Sequence, residues 1–192
     1  TLQFMARHRG LRTGAAMDHA GELELATLDL PESLSDGIAP AALAYRPDAL
    51  PGFFPLRPRD SHKGRNGHVL CIGGDHGSGG AILLAADAAL HCGAGLASVA
   101  TRTLHVPALL ARRPEAMAHG IEDGAGLADL LARADVLAIG PGLGQGEWGR
   151  SLFDAALACD RPRVLDADAL NLLAQSPRRL AAHDVITPHP GE

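Results

Sequence analysis

The amino-acid sequence predicts an α/β fold, in which helices cover both faces of a mainly parallel β-sheet. From residue 67 onward, short apolar segments alternate strictly with segments of helical length, a pattern typical of repeated β-α units. The composition agrees, because 46% of the residues are hydrophobic and only 3% are aromatic, as expected of a core built from aliphatic side chains. A chain of 192 residues is long enough for one well-buried domain and a smaller segment.

The predicted elements follow one another from residue 67 to the end of the chain. Apolar runs bounded by glycine, proline or charged residues predict strands, at residues 68–74, 96–101, 115–119, 136–139, 163–165 and 184–187. Apolar residues at helical spacing predict helices, at residues 80–92, 104–113, 127–134, 148–159 and 169–174. On the first helix, the face predicted to pack on the sheet is mostly alanine and consists of Ala81, Leu84, Ala85, Ala88 and Cys92.

We expect three segments along the chain. Residues 1–31 contain two short alternating stretches, which predict strands that pair with something outside this piece, because two strands alone are marginally stable in water. Residues 32–56 are rich in proline and are predicted to be a linker, and residues 57–192 hold the α/β domain. The chain has no initiator Met and stops on a charged loop after a strand, so we expect a fold truncated at its C-terminus.

Charge, hydropathy and cysteine usage exclude several classes of function. A formal net charge of −5 speaks against a nucleic-acid partner or an anionic membrane. No segment reaches transmembrane length and the N-terminus lacks a signal-peptide pattern, so we expect a cytoplasmic protein. Cys71, Cys92 and Cys159 lie far apart and form no CxxC pair. This spacing predicts core residues of a reducing compartment, and neither a disulfide framework nor a metal site.

Loops that contain glycine follow three of the predicted strands, at residues 73–80, 140–144 and 188–192. Glycine lets a ligand approach the backbone amides closely, and in open α/β sheets ligands bind at the carboxyl ends of strands. In the middle loop, three glycines around Pro141 favour a binding loop over a plain turn, which would need one glycine. None of the loops matches a Walker-type phosphate loop, and the Gly-x-Gly-x-x-Gly spacing of dinucleotide-binding proteins fits poorly.

Charged residues near these loops are the candidate site residues. Asp166 and Asp168 follow the strand at residues 163–165, where they could face a cleft, hold a metal through water or bind hydroxyl groups of a ligand. For Asp168 the alternative is a helix N-cap, so Asp166 is the better candidate. His189 is held between two prolines, either as a rigid site residue or in a surface turn. Lys63 lies in a basic run that is either a solvated loop or a phosphate contact.

Several short motifs occur in a fixed order between residues 57 and 192: Lys63-Gly64, Gly73-Gly74, Gly79-Gly80-Ala81, Gly93-Ala94-Gly95-Leu96, Gly140-Pro141-Gly142-Leu143-Gly144, Asp166-Ala167-Asp168-Ala169-Leu170-Asn171 and Thr187-Pro188-His189-Pro190-Gly191-Glu192. In this order they resemble the motifs of the ADP/ATP-dependent NAD(P)H-hydrate dehydratases, whose domain has the ribokinase-like three-layer α/β/α fold. The opening segment is similar to the tail of the NAD(P)H-hydrate epimerase domain that precedes the dehydratase in bifunctional bacterial proteins, through Thr1-Leu2-Gln3-Phe4, Gly10-Leu11, Gly21 and Asp29-Leu30-Pro31.

The resemblance implies a lyase that repairs hydrated nicotinamide cofactor. The terminal phosphoryl group of ADP or ATP, with Mg²⁺, would activate the ring hydroxyl, which then leaves to regenerate NAD(P)H. The implied partners are NAD(P)H hydrate and an adenine nucleotide, and relatives commonly form homo-oligomers. A phosphate contact by Lys63 would then be a nucleotide contact. By motif position, the resemblance assigns substrate contacts to Ala81, Gly142, Gly144, Asp166 and His189.

The sequence departs from the family pattern at one point. The family's later N-[ST]-G-D-V-L-A-G segment, which supplies anion-hole amides and the catalytic Asp, does not occur here, so we expect the catalytic residues beyond Glu192 and an inactive fragment. Two other functions stay open. A small-molecule kinase of the ribokinase-like superfamily, similar to hydroxyethylthiazole kinase, would release a phosphorylated product without dehydration. A catalytically silent nucleotide-binding module would lack the Gly-Asp pair.

Overall fold

The computed structural model describes residues 1–54 and 56–192. Within them the chain forms two compact units, Thr1–Arg57 and Pro58–Glu192. The second unit therefore begins one residue after the predicted start of the α/β domain at residue 57. None of the described helices is long and apolar enough to cross a membrane.

The first unit contains one short parallel sheet. Strand β1 (Leu2–Phe4) pairs with β2 (Glu24–Ala26), and helix α1 (Ala16–His19) lies on the connection between them. We expected this piece to pair with something outside it; the two strands pair with each other, and an outer partner stays a prediction. The described residues of the predicted linker, 32–56, form 3-10 turns and contain no strand or α-helix.

Six parallel strands form the sheet of the second unit. They are β3 (His68–Ile72), β4 (Leu96–Thr101), β5 (Met117–Gly120), β6 (Val136–Ile139), β7 (Arg163–Leu165) and β8 (Val185–Ile186). Their order across the sheet is β5-β4-β3-β6-β7-β8, and every neighbouring pair is parallel. Each strand overlaps the segment predicted for it, which confirms the mainly parallel sheet.

Helices cover both faces of this sheet. They are α2 (Gly79–His91), α3 (Val106–Arg112), α4 (Ala128–Arg133), α5 (Glu147–Ala158) and α6 (Asp168–Gln175). Leu70 and Cys71 are adjacent on β3, so their side chains point to opposite faces. Cys71 packs in one buried cluster with Ile82 of α2, whereas Leu70 packs in another with Leu152 of α5 and Leu172 of α6. Two cores on opposite faces confirm the three-layer α/β/α architecture.

The strand order places a crevice at one defined point of the sheet. Strand β3 pairs with β4 on one side and with β6 on the other. From β3 the chain moves outward through β4 to β5, then returns to β6 and moves outward the other way. The loops after β3 and β6 therefore diverge, and in open α/β sheets ligands bind where the order reverses.

The predicted packing face of α2 is wrong. Its buried residues are Ile82 and Ala86, whereas Leu84, predicted to face the sheet, is 69% exposed. Because Asp87 is the only polar side chain in residues 81–90, the sequence does not mark an exposed face. The buried Ile82 side chain packs against Gly74, two residues after the end of β3.

The cysteines are free thiols in three different environments. Cys71 is buried on β3, and burial raises the pKa of its thiol to about 12. Cys159 is half-buried, but Cys92 is exposed, so the prediction of a core position is wrong for Cys92. Cys92 follows the last residue of α2, in the turn that leads to β4.

Candidate functional site

The two glycine loops at the switch point are hydrogen-bonded to each other. The backbone N–H of Gly74 donates to the carbonyl oxygen of Pro141 at 3.1 Å, and the N–H of Asp75 donates to that of Gly142 at 2.6 Å. The loop after β3 and the loop after β6 therefore continue the strand pairing beyond the ends of the strands. This docking joins two segments that the sequence placed in separate loops.

Two positions in the second loop require glycine. Gly142 and Gly144 have φ angles of +61° and +72°, a region that L-residues with a β-carbon rarely adopt. A β-carbon on Gly142 would lie 2.6 Å from the β-carbon of Ser78, and one on Gly144 would lie 2.9 Å from Oδ2 of Asp75. The bare backbone of this loop therefore packs directly against the first loop, and its role in ligand binding stays a prediction.

Ala81 lies beside this loop. It belongs to the first turn of α2 and is half-buried. A β-carbon on Gly142 would be 3.3 Å from the β-carbon of Ala81. The structure therefore brings Ala81, Gly142 and Gly144 together at the switch point.

Asp166 lies at the end of the next strand, β7. Its backbone carbonyl packs so closely against Gly140 that a β-carbon there would collide with it. Its carboxylate accepts a hydrogen bond from Oγ1 of Thr187 at 2.8 Å. Asp166 therefore connects the second glycine loop to the segment that follows β8.

Asp168 does not cap helix α6. The residue before the helix is Ala167, which makes no side-chain capping bond and has φ +46° and ψ −121°, a sparsely populated conformation for alanine. Asp168 is the first helical residue, and its Oδ2 accepts a hydrogen bond from the backbone N–H of Gly144 at 2.8 Å. The N-cap interpretation of Asp168 is therefore wrong, and its carboxylate instead holds the glycine loop.

His189 lies on the same edge of the sheet, because its loop follows β8. The backbone N–H of Thr187 donates to Leu165 of β7 at 3.1 Å, and His189 is two residues further on. Its ring is exposed, and its backbone N–H donates to Oε2 of Glu192 at 3.0 Å. The structure thus places His189 one strand beyond Asp166.

Lys63 lies at the opposite edge of the sheet. It begins a 3-10 turn, Lys63–Arg65, that precedes β3. Its backbone carbonyl packs against Gly95 at the start of β4, where a β-carbon would collide with it. Lys63 therefore lies at the amino ends of β3 and β4. The structure does not bring this residue together with the other predicted site residues.

A polar chain next to the loops was not found in the sequence. Nε of Arg102 donates to Oδ1 of Asp75 at 2.8 Å, and its guanidinium carbon lies 4.4 Å from the centroid of the Trp148 ring. Burial alone would raise the pKa of Asp75, but the hydrogen bond and charge of Arg102, with the backbone N–H of His76, hold the pKa below its ordinary value. The sequence could have indicated these residues only by their positions. Asp75 directly follows Gly74, and Arg102 directly follows the last residue of β4.

The described residues build no metal centre. No group of three or more His, Cys, Asp and Glu side chains in residues 1–54 and 56–192 converges in a way that could hold an ion. The carboxylates of Asp75, Asp166 and Asp168 are each engaged by Arg102, Thr187 and Gly144, respectively.

The fold and this edge of the sheet define a class of protein. A ribokinase-like superfamily protein from Enterococcus faecalis V583 has a similar structure, with a TM-score of 0.66 and 37% identity, over 70% of this chain and 49% of its own. The chain is therefore an α/β/α protein with the ribokinase-like fold. The model of the NAD(P)H-hydrate dehydratase family matches residues 69–192. The chain belongs to this family, as its motifs predicted.

Named relatives span more sequence than this chain. A bifunctional NAD(P)H-hydrate repair enzyme of Coxiella burnetii is 46% identical over 192 residues, which are 100% of this chain and 39% of the relative. An ADP-dependent (S)-NAD(P)H-hydrate dehydratase of Lactiplantibacillus plantarum is 48% identical over 137 residues, 69% of this chain and 49% of the relative. An ADP/ATP-dependent NAD(P)H-hydrate dehydratase of Bacillus subtilis, co-crystallised with ATP and Mg²⁺, has a TM-score of 0.58 at 32% identity, over 71% of this chain and 49% of its own.

Proposed function

We propose that the protein catalyses the nucleotide-dependent dehydration of hydrated NAD(P)H to NAD(P)H. The observation that carries this proposal is that the family match over residues 69–192 contains both docked glycine loops and the two carboxylates beside them. The relatives described above are named as repair enzymes or dehydratases of the same hydrate. Because the chain covers 39% of the C. burnetii relative, the activity is proposed for the protein at its natural length.

The substrate cleft is assigned to the edge formed by the two loops. Ala81, Gly142 and Gly144 carry little or no side chain there; the absent β-carbons of the two glycines let the loops dock on each other, and the hydrate would bind against the docked backbone. Asp166 and His189 follow the next two strands and would bound the cleft on the far side. These five contacts are the substrate-binding part of the proposal.

The reaction requires a better leaving group than hydroxide. A phosphoryl group taken from ADP or ATP converts the ring hydroxyl into a phosphate ester, and loss of phosphate and a proton restores the double bond of the reduced ring. The residues of this chain then have one task at this edge, which is to position the hydrated ring. The docked backbone of the two loops suits this task.

The nucleotide and its metal are assigned only in outline. Since the carboxylates at this edge are already engaged and no ligand cluster converges among the described residues, the protein part of a Mg²⁺ site does not fit here. We assign Mg²⁺ to the nucleotide phosphates, which commonly bind it together with several water molecules. The position of Lys63 at the amino edge does not support a nucleotide contact from the same cleft.

Three further properties are proposed for the protein, namely its domain organisation, its cellular location and its oligomeric state. Residues 1–31 would be the tail of an epimerase domain, consistent with alignment of the whole chain to bifunctional repair enzymes. A cytoplasmic location and assembly as a homo-oligomer are proposed from the family resemblance. Gel filtration with light scattering tests the oligomer directly.

The decisive experiment uses the protein at its natural length with enzymatically hydrated NADH. We expect the absorbance of the reduced nicotinamide ring to recover when ADP or ATP is added, and to stay flat without nucleotide. Failure to recover with either nucleotide would refute the proposal. Accumulation of a stable phosphorylated product without recovery would instead support the small-molecule kinase.

A further inference from the structure

Asp75, Arg102 and Trp148 form a continuous polar chain beside the two glycine loops. They come from three different elements, namely the loop after β3, the residue after β4 and the first turn of α5. The side chains of Asp75 and Arg102 are only 26% and 19% exposed, and Trp148 is 6% exposed. None of the three is among the predicted substrate contacts.

Asp75 touches the second glycine loop at two points. Its backbone N–H donates to the carbonyl of Gly142 at 2.6 Å. Its Oδ2 lies 2.9 Å from the position that a β-carbon on Gly144 would occupy. Asp75 therefore lies against both predicted contact residues of that loop, Gly142 and Gly144, and holds the two loops at a fixed separation.

Arg102 holds the Asp75 carboxylate from the other side. Its Nε donates to Oδ1 of Asp75 at 2.8 Å, while the flat guanidinium group stacks over Trp148. The indole N–H of Trp148 donates to the carbonyl of Ile121 at 2.9 Å, which fixes the ring in place. A planar guanidinium can form the ion pair and the ring contact together, whereas an ammonium group cannot reproduce both.

A second contact fixes the backbone of the same loop. Nε2 of His105 lies 3.1 Å from the carbonyl oxygen of Asp75, and the His105 ring packs against Gly79 at the start of α2. Both Arg102 and His105 therefore support the loop from the segment that follows β4. The first glycine loop is held by side chains outside itself.

We propose that Arg102 is a positioning residue for the dehydration: it holds Asp75 against Gly144 and thereby sets the separation of the two loops that bind the hydrate. This inference rests on the proposed function and deepens it. Arg102 acts on the loops through Asp75, so its loss should weaken binding of substrate and transition state alike. Such a loss raises KM and leaves kcat nearly unchanged.

The test is a double-mutant cycle in the protein at its natural length, assayed with hydrated NADH and the preferred nucleotide. We expect Arg102→Gln and Asp75→Asn each to raise KM for the hydrate by about tenfold, with kcat changed by less than about threefold. The double variant should be no worse than either single one, because both break the same contact. Arg102→Lys should recover part of the loss, since it restores the charge but not the stacking.

The matched control is Arg178→Gln, which removes the exposed ion pair between Arg178 and Asp154 of α5. Its KM should equal that of the wild type. The inference is overturned if Arg102→Gln and Arg178→Gln have the same KM, or if the effects at Asp75 and Arg102 simply add. Should Arg102→Gln fail to fold, Arg102→Lys and Asp75→Asn decide by the same KM criterion. A wild type without nucleotide-dependent dehydration contradicts the proposed function instead, whatever the variants do.

Discussion

The carboxylate of Asp168 accepts a hydrogen bond from the backbone N–H of Gly144, with an O–N distance of 2.8 Å, and so ties the start of α6 to the loop after β6. Its second oxygen accepts from Nε2 of Gln145 at 3.3 Å. Gln145 in turn accepts from Nε2 of Gln175, at the other end of α6, at 2.6 Å. The loop and the residue after it are therefore connected to both ends of α6, and the carboxylate of Asp168 makes one of these connections.

Replacing Asp168 should affect both stability and substrate binding. In Asp168→Ala the N–H of Gly144 loses its acceptor, which should lower the free energy of unfolding by about 1–3 kcal/mol and raise KM for the hydrate. Asp168→Asn keeps one acceptor oxygen and should lose less. Denaturant unfolding and steady-state kinetics on the same samples measure the two effects. Asp129→Ala, at an exposed position on α4, is the control. A loss of stability at Asp168 with an unchanged KM would contradict the role in the loop.

Alanine at Gly142 or Gly144 should be destabilising. Both residues have positive φ, and a β-carbon would approach Ser78 or Asp75 within 2.6 or 2.9 Å. The backbone term alone is about 1–2 kcal/mol per site, and the close contacts add to it. Gly80→Ala is the matched control, because Gly80 lies in α2 with open space around its Cα. That change should raise the free energy of unfolding by up to about 1 kcal/mol. Thermal or denaturant unfolding that ranks Gly142→Ala with Gly80→Ala would refute this prediction.

Sequence patterns predicted the sheet because its signals are local. Each apolar run ends at glycine, proline or a charged residue, so strands such as β6 and β7 could be placed within a residue or two. The rotation of α2 could not be predicted, because almost every side chain in residues 81–90 is apolar. Which face is buried depends on contacts with the sheet, such as that of Ile82 with Gly74 after β3.

Candidate site residues could be named from the sequence where a glycine or a carboxylate follows a strand, and not where the position of a side chain depends on a distant partner. Gly142 and Gly144 could be named because three glycines occur around Pro141 in this loop. The Asp75–Arg102 pair joins residues 27 positions apart, and the Trp148 contact adds a third element. No spacing rule connects them. The role of Asp168 was ambiguous for the same reason. A carboxylate at this position can cap the helix or accept a hydrogen bond from a neighbouring loop, and only the position of Gly144 distinguishes the two.

The stability of the second unit should fall as the pH falls through the histidine range. Nε2 of His119 on β5 is buried without a hydrogen-bond partner among the described residues. Burial, and then the charges of Arg133 and His68, lower the pKa of His119. The histidine pKa in the unfolded chain is about 6.5. Between this pH and the lower pKa of the folded protein, the unfolded chain therefore binds a proton at His119 that the folded protein does not bind. The stabilising contribution is complete above that pH and is lost as the pH drops towards the folded pKa.

The measurement is the free energy of unfolding of the wild type and two variants between pH 5 and about pH 8, the range in which histidine titrates. His119→Phe removes the titration and should flatten the slope. Arg133→Gln removes one of the opposing charges and should make the slope shallower without abolishing it. A wild-type slope that His119→Phe leaves unchanged would assign the pH dependence to other groups.

The last strand depends on a buried ion pair. The Arg163 guanidinium on β7 donates two hydrogen bonds to the carboxylate of Asp184, both at 2.9 Å. It also donates to three carbonyls at the end of α5, those of Ala156, Leu157 and Cys159. The pair joins α5, β7 and the residue before β8, and the loop with His189 follows β8 directly.

Removing one partner of this pair should cost far more than removing an exposed pair. Asp184→Asn leaves the buried Arg163 charge without its counter-charge, so we expect a loss of about 3–5 kcal/mol in the free energy of unfolding. Asp154→Asn, which breaks the exposed pair with Arg178, should cost about 0–1 kcal/mol. Burial alone would raise the pKa of Asp184, but its hydrogen bonds and the charge of Arg163 lower it. The contribution is therefore present above the ordinary carboxyl pKa of about 3.9 and is lost as the pH falls through the lower folded value. Denaturant unfolding at neutral pH compares the two variants, and equal losses would show that the Arg163–Asp184 pair does not anchor β8.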